Sequence, residues 1–323
     1  MIRTLNSGDT IDLTTDGEQL NMIVVESDLI GSVRFDYDGV VNYRIENLTP
    51  FSIENTIGGI YQPWTPTLGL HTLTANAFTG TGATGTLLNA LTIDFHVVRS
   101  IPIDIRVFLE GPYDLNTNTM TGSLLQLDLL PIIQPYGVAP WNYFGTEGQG
   151  WTSSEYPPNV IDWVKVSFRT DITKNTEVIA SAAILLNDGA LVFPNPRVLL
   201  ESMGSSFYIV IQHRNHMGIL SPISVAPANE VLTYNFCREN SYQLGSGQKQ
   251  LSPGLWAMFA GDGNQLDNVN GYDINGLDHA GWNMQNGLFD VYSLFDYNFD
   301  GDVNGMDKIL WNVNNGVYSQ VEK

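Results

Sequence analysis

The chain is poor in cysteine, in basic residues and in long apolar runs. It has one cysteine, Cys237, among 323 residues, which excludes an intrachain disulfide and a metal site built from several thiolates. Lysine and arginine total 14 against 34 aspartates and glutamates, so the net charge is −20. Such a chain lacks the basic face that nucleic acid or an anionic membrane surface requires. No apolar run approaches the ~18 residues of a spanning helix, and we expect no membrane insertion.

The first residues do not have the pattern of a signal peptide, because Met1 is followed by a mixed polar segment. An acidic composition with few lysines nevertheless suits an extracellular or cell-surface protein. We therefore expect the sequence to be a mature form or an excised part of an exported protein. Without disulfides, such a protein depends on core burial or on metal ions for its stability.

Residues 1–99 are predicted to form an antiparallel β-sandwich. Short runs rich in β-branched and aromatic residues alternate there with turn residues about every ten positions. The clearest turn is Asp38-Gly39, because an Asp-Gly pair between two such runs is typical of a tight hairpin. A period-two pattern predicts further strands over 71–78 and 88–98.

Residues 100–245 are predicted to form a second β-sandwich domain. An irregular aromatic stretch over 135–158 interrupts its strands. Three rings of this stretch, Trp141, Tyr143 and Trp151, are candidate glycan contacts, since exposed rings stack on sugar faces. The alternative, which we favour, is that these rings close the end of the sandwich.

Catalytic and transition-metal signals are weak. No nucleophile-elbow motif occurs and Cys237 has no recognisable catalytic context, so we expect a protein without enzymatic activity. His213 and His216 lie at a predicted strand end with no evident third ligand, and a structural role is expected for both.

Residues 252–323 contain a duplicated segment and a calcium-type loop. The segment 274–287 aligns without gaps on 303–316, with Asn, Gly, Asp and Trp repeated at matching positions. In front of the second copy, oxygen-bearing side chains recur with EF-hand spacing, and Gly301 stands at the sharp turn. The predicted Ca²⁺ ligands of this loop are Asp296, Asn298, Asp300, the backbone carbonyl of Asp302, Asn304 through a water, and Asp307.

The first copy carries a less regular loop. Counted from Asp262, it ends at Asp273 in position 12, but it lacks the position 5 carboxylate and the glycine. Counted from Asp267, it ends at Asp278, which the gap-free alignment of the following segments favours. We adopt the first register for its ligand chemistry, with an insertion between Asp273 and Trp282. The predicted ligands of this second, weaker Ca²⁺ site are Asp262, Asn264, Asn268, Asn270 and Asp273.

Two such loops, each followed by a helix of the form Asp-x-x-x-Trp-Asn-x-x-Asn-Gly, resemble the dockerin type I fold, in particular the tails of large secreted proteins from Bacteroidota. The segments 107–113 and 211–218 look like the domain that precedes these tails, and 64–75 is similar to their Ig-like modules. The resemblance implies a mainly β chain, with two Ig-like β-sandwich domains followed by a small α-helical, dockerin-like module with EF-hand-type calcium loops.

The expected function follows from this resemblance. We expect a non-enzymatic secreted or cell-surface protein, stabilised by Ca²⁺, that acts in attachment or extracellular assembly through contacts with another protein or with a copy of itself. The alternative is a carbohydrate-binding module or accessory of a polysaccharide-degrading system. The N-terminal module resembles an Ig-like module that begins after its first strand, which predicts an open sheet edge and self-association through residues 1–100.

Overall fold

The structure is a computed structural model that describes residues 3–25, 29–196, 198–242, 245–267 and 270–323. It is mainly β, as predicted. The chain divides into two compact units, Met1–Ser100 with Leu200–Ser202 and Ile101–Leu199 with Met203–Lys323. The second unit contains both the predicted second β domain and the predicted terminal module. None of the helices in the described ranges is long and apolar enough to span a bilayer.

The first unit is built around a five-stranded sheet of order β1-β9-β8-β3-β4. Its elements are β1 (Thr10–Asp12), α1 (Leu13–Asp16), β2 (Ile23–Val24), β3 (Ser32–Tyr37), β4 (Val40–Glu46), β5 (Phe51–Ser52), β6 (Thr56–Ile57), β7 (Ile60–Tyr61), β8 (Gly69–Gly80) and β9 (Thr84–Val98). The predicted turn at Asp38-Gly39 is confirmed, since Tyr37 pairs with Val40 across it. The core lies on one face of this sheet and includes Phe35 and Phe95, both almost completely buried.

The second unit contains another five-stranded sheet, of order β15-β14-β13-β16-β17, and several two-stranded pairs. Its elements are β10 (Ile103–Arg106), β11 (Tyr113–Asp114), β12 (Thr119–Met120), β13 (Val160–Arg169), β14 (Glu177–Leu186), β15 (Leu191–Val192), β16 (Tyr208–Gln212), β17 (Ile219–Leu220), β18 (Leu232–Asn235), β19 (Lys249–Ser252), β20 (Leu255–Ala257), β21 (Tyr272–Asp273), α2 (Gly276–Gln285), α3 (Gly305–Asn314) and β22 (Tyr318–Ser319).

The central strand β13 is buried along its whole length. Val166 and Phe168 belong to the main hydrophobic core of the unit. Lys165 and Arg169 point the other way, because side chains alternate between the two faces of a strand. There the guanidinium of Arg169 donates to the backbone carbonyl of Glu322 at 2.8 Å. The C-terminal segment therefore covers the second face of this sheet.

The two copies of the repeat form helices α2 and α3, which pack against each other reciprocally. The indole nitrogen of Trp282 donates to the carbonyl of Asn304 at 2.9 Å, and that of Trp311 donates to the carbonyl of Asn275 at 2.8 Å. Each tryptophan of one copy thus binds the residue that precedes the helix of the other. The backbone bonds repeat in the same way, from Gly287 to Val303 and from Gly316 to Ile274.

Candidate metal centre

The starts of the two helices establish which loop residues are equivalent. Asn275 caps α2 and Asn304 caps α3, and each amide oxygen accepts from the backbone two residues on. Asp278 and Asp307 stand three residues after these caps, and each accepts the backbone N–H of its own cap residue, at 2.7 and 2.8 Å. Such a reciprocal box defines the first turn of a helix. Asp278 is therefore the equivalent of Asp307.

This equivalence corrects the predicted register of the first loop. Asp273 was placed at position 12, but it corresponds to Asp302, five residues before the last ligand position of the second loop. The insertion does not lie between Asp273 and Trp282, because α2 and α3 have the same length and carry their tryptophans at the same position. The N–H of Asn264 binds Asp278 as that of Tyr297 binds Asp307, so the additional residues lie between Asn264 and Asp273. The participation of Asp273 in calcium binding stays a prediction.

The first loop gathers three carboxylates at one point. One oxygen from each of Asp267, Asp273 and Asp278 lies within 4.8 Å of the others, the one such group of acidic, histidine or cysteine ligands in the described part of the chain. The side-chain amide of Asn275 donates to Asp267 at 3.1 Å and to Asp273 at 2.6 Å. The charge of Lys323 also acts on these three carboxylates. Carboxylate oxygens are the ligands that Ca²⁺ prefers.

Asp262, an acidic residue at the start of the first loop, is fully buried. Both of its oxygens are shielded from solvent and have no hydrogen-bond partner among the described residues. Burial raises the pKa of Asp262 far above its usual range, and repulsion from Asp278, Asp267 and Asp273 raises it further, while Lys323 opposes the shift. A buried carboxylate without a protein hydrogen-bond partner is costly. A bound cation would compensate it.

The remaining predicted ligands of the first loop are less closely involved. The backbone N–H of Asn264 donates to Asp278 at 2.8 Å, which holds this residue beside the cluster. Asn270 is exposed. Asn268 lies outside the described residues.

The second loop is tied together by its first and last carboxylates, both buried. Asp296 accepts the backbone N–H groups of Phe299 at 2.8 Å and Gly301 at 3.1 Å. Asp307 accepts that of Tyr297 at 2.7 Å through its other oxygen. Gly301 adopts a φ of +89°, and an added Cβ would lie 2.6 Å from Leu127, which explains the glycine at the predicted turn.

The middle of the second loop is polar and partly exposed. The side-chain amide of Asn298 donates to Asp300 at 2.8 Å, and the N–H of Asp302 donates to the other oxygen of Asp300 at 2.9 Å. Asn304 has its side-chain oxygen occupied by the helix cap. The loop therefore brings all six predicted residues into one continuous turn, although its carboxylates are less tightly grouped than those of the first loop.

The electrostatics of the second loop also favour a cation. Burial raises the pKa of Asp296 to about 7, and repulsion from Asp307 and Asp300 adds to the effect, while Arg214 opposes it. Burial likewise raises the pKa of Asp307 to about 6. The all-oxygen donor sets of both loops fit Ca²⁺, a hard cation that takes six to eight oxygen ligands. A bound ion would supply the positive charge that these carboxylates lack.

The second loop packs against the β-strand region of the same unit, called the β part below. Phe299, between the ligand positions, is fully buried, with its ring 5.5 Å from His213 and 5.7 Å from His216. Its backbone carbonyl accepts from the N–H of Ser123 at 2.8 Å. The side-chain amide of Asn215 donates to the carbonyl of Asp296 at 2.6 Å. The folding of this loop is therefore coupled to the packing of the β part.

His213 and His216 both pack against Phe299, in line with the structural role predicted for them. His213 contacts Asp162 at 3.3 Å, and the backbone N–H of Gly111 donates to the ring of His216 at 3.3 Å. Burial lowers the pKa of both imidazoles, so both are neutral near pH 7.

The three candidate glycan contacts pack into the main core of the second unit. Trp141 is 9% exposed and meets Tyr136 edge to face, with ring centroids 5.1 Å apart. Trp151 and Tyr143 are half-buried against the same core. These contacts favour the packing role. Glycan contact through these rings stays a prediction.

The roles of two sets of residues in these loops were not predicted from the sequence. Sequence reasoning left Asp267 and Asp278 out of the adopted first site, although the gap-free alignment of the repeat had already placed Asp278 opposite Asp307. It also gave no role to Phe299, which occupies a position between ligands. The sequence contains no signal for the latter, because the partners of Phe299 are far away along the chain.

Comparisons with known proteins identify no family. No protein-family model and no curated protein matches the chain. Among solved structures, the chain is similar to the fibronectin(III)-like modules of Clostridium thermocellum CbhA, at 13% identity and a TM-score of 0.20, over 30% of this chain and 95% of that one. At this TM-score the similarity supports no conclusion about the function of the chain.

Proposed function

We propose that this is a non-enzymatic, extracellular modular protein whose calcium-stabilised terminal module attaches it to another protein. In this proposal two β-sandwich domains precede a dockerin-like module, and the module presents helices α2 and α3 to the partner. The observation that carries the proposal is that the two helices expose two matched pairs of apolar side chains.

These side chains occupy equivalent positions of the repeat. Leu277 on α2 corresponds to Met306 on α3, and they are 54% and 57% exposed. Met284 corresponds to Val313, and they are 86% and 59% exposed. Residues seven apart on a helix lie on one face. Both helices therefore present an apolar stripe that the packing of their own unit does not use, and exposed apolar patches are a mark of interaction sites.

The surface beside α3 is also concave. A groove of about 440 Å³ runs between this helix and the segment 111–123, and Met306 and Ile309 line it. The acidic loops fix the direction of each helix, because Asp278 and Asp307 bind both the loop and the first helical turn. Loss of calcium would therefore disturb the surface that the helices present.

Binding to proteins from the native cell surface would test the proposal. The wild-type chain should capture one defined partner in calcium and lose it in chelator, and L277K/M306K should lose it in calcium. V178K/V192K, which places the same two charges on exposed valines elsewhere in the second unit, should keep it. Capture that survives both L277K/M306K and chelator would contradict the proposal, as would turnover of a polysaccharide.

A further inference from the structure

The five-stranded sheet of the first unit has two edges, and the strands near them differ in charge. On one side, the edge strand β4 carries Arg44 and Glu46, which form an ion pair at 2.8 Å, and its Asn42 adopts a φ of +59°. Charged side chains and irregular backbone protect a sheet edge against pairing with another chain. On the other side, β9 contains no Asp, Glu, Lys or Arg from Thr84 to Ile93.

Most of β9 is open on this side. The short strand β1 pairs only with His96, Val97 and Val98, and the N–H of Gly8 reaches the carbonyl of Asp94 at 2.7 Å. No strand in the described ranges pairs with the remainder of β9 on this side.

In the unpaired part of β9, every second residue directs its backbone N–H and carbonyl away from β8, toward the open edge. The carbonyl of Asp94 and the N–H of His96 both bind toward β1, so Thr92 and Ala90 direct theirs the same way. The N–H of Ala90 donates to the side chain of its neighbour Asn89 at 2.9 Å, a local bond that a second strand can replace.

The unpaired part of β9 also extends beyond the hydrophobic core of the first unit. Phe95 and Val97 are buried in that core, whereas Leu91 on the same face is 60% exposed. Leu87 and Leu88 are 50% and 42% exposed. This end of the strand therefore combines unpaired backbone with exposed leucines, and it carries no charge that would repel a second strand.

We propose that β9 pairs antiparallel with β9 of a second copy of this chain. With Leu91 on the two-fold axis, Ala90 of each copy lies opposite Thr92 of the other, so that the outward backbone groups of both meet. The two Leu91 side chains then lie side by side on one face. The occupant is a second copy because the segment is complementary to itself and because a chain of net charge −20 repels its copies least through an uncharged strand.

Sedimentation velocity of the full chain, with and without chelator, tests the proposal. The wild type should form dimers in both conditions, since the contact does not involve the calcium loops. L91K should weaken dimerisation by roughly ten-fold or more, because like charges would face each other across the axis. An equimolar mixture of L91K and L91E should restore a dimer of the two variants. V41K, a matched change at the exposed edge of β4, should dimerise as the wild type does.

A second pair of variants tests the backbone. A90P removes one outward N–H from each copy and should abolish dimerisation, while A90S keeps the N–H and should preserve it. Circular dichroism should show that A90P retains the fold. A wild type that stays monomeric at high concentration would overturn the proposal. So would dimers that L91K leaves intact and I309K abolishes, because these would form through α3.

Discussion

The guanidinium of Arg214 lies 2.7 Å from the carboxylate of Asp162, and both side chains are buried. The other face of this pair is covered by Tyr292 and Ser293, which lie between the two acidic loops. Arg214 donates to the carbonyl of Ser293 and lies under the ring of Tyr292, whose hydroxyl donates to Asp162 at 2.7 Å. One ion pair thus links the central strand β13, the segment after β16 and the segment between the two acidic loops.

Removal of one partner of this pair should destabilise the second unit. D162N would leave the charge of Arg214 buried without compensation, and we expect a loss of about 3–5 kcal/mol in the free energy of unfolding. Urea denaturation measures it. The control is D188N, which breaks an ion pair with Arg106 in which both side chains are more than 40% exposed, and which should cost less than about 1 kcal/mol. Equal effects of the two variants would contradict the prediction.

The same pair should give stability a defined pH dependence. Burial acts to raise the pKa of Asp162, but the charge of Arg214 and the hydrogen bond from His213 outweigh it and hold the pKa at about 2, below the ordinary 3.8. A carboxyl whose folded pKa is lowered contributes stability above its unfolded pKa. This contribution should decline as the pH falls from about 4 to about 2. Acid titration of the unfolding free energy should show this component in the wild type and lack it in D162N.

Calcium removal should loosen the second unit beyond the loops themselves. Chelator should speed amide exchange in both loops, at 262–278 and 296–307. It should also speed exchange near Ser123 and Asn215, because these residues hydrogen-bond to Phe299 and Asp296, respectively. Exchange in the five-stranded sheet of the first unit should not change and serves as the internal control. Unchanged protection of both loops in chelator would show that they do not depend on a metal ion.

The two loops should bind calcium with unequal strength. We expect the 296–307 site to be the tighter one, because binding to the longer first loop must also order more backbone. In calorimetric titration of the full chain, D307N should remove the tight step and D278N the weak one. D290N makes the same charge change in the module outside both loops and should leave both steps intact. A tight step that survives D307N would reverse the assignment.

The aromatic stretch should contribute to stability. W141A would leave a cavity in the core, and we expect a cost of about 3–5 kcal/mol. F144A, in the same stretch, removes a ring that is 79% exposed and should change the stability by less than about 0.5 kcal/mol. Chemical denaturation separates the two. A stable W141A that loses affinity for a glycan would instead support the carbohydrate-binding alternative.

Local features of this chain could be predicted from sequence, and long-range ones could not. The Asp38-Gly39 turn depends on residues within a few positions of each other. Both helices were predicted because the repeat contains the same helix pattern twice. The register of the first loop was wrong because ligand spacing was preferred over the alignment of the helix starts. The packing of Phe299 against His213 depends on contacts between distant segments, which no local pattern encodes.

The reciprocal bonds of Trp282 and Trp311 have a consequence for the history of the repeat. Each copy supplies the carbonyl that satisfies the indole of the other, so deletion of either copy would leave a buried tryptophan donor without its acceptor. A single copy could therefore make these bonds only if two chains associated to exchange them. The duplication would then have joined, within one chain, a contact that first formed between two molecules.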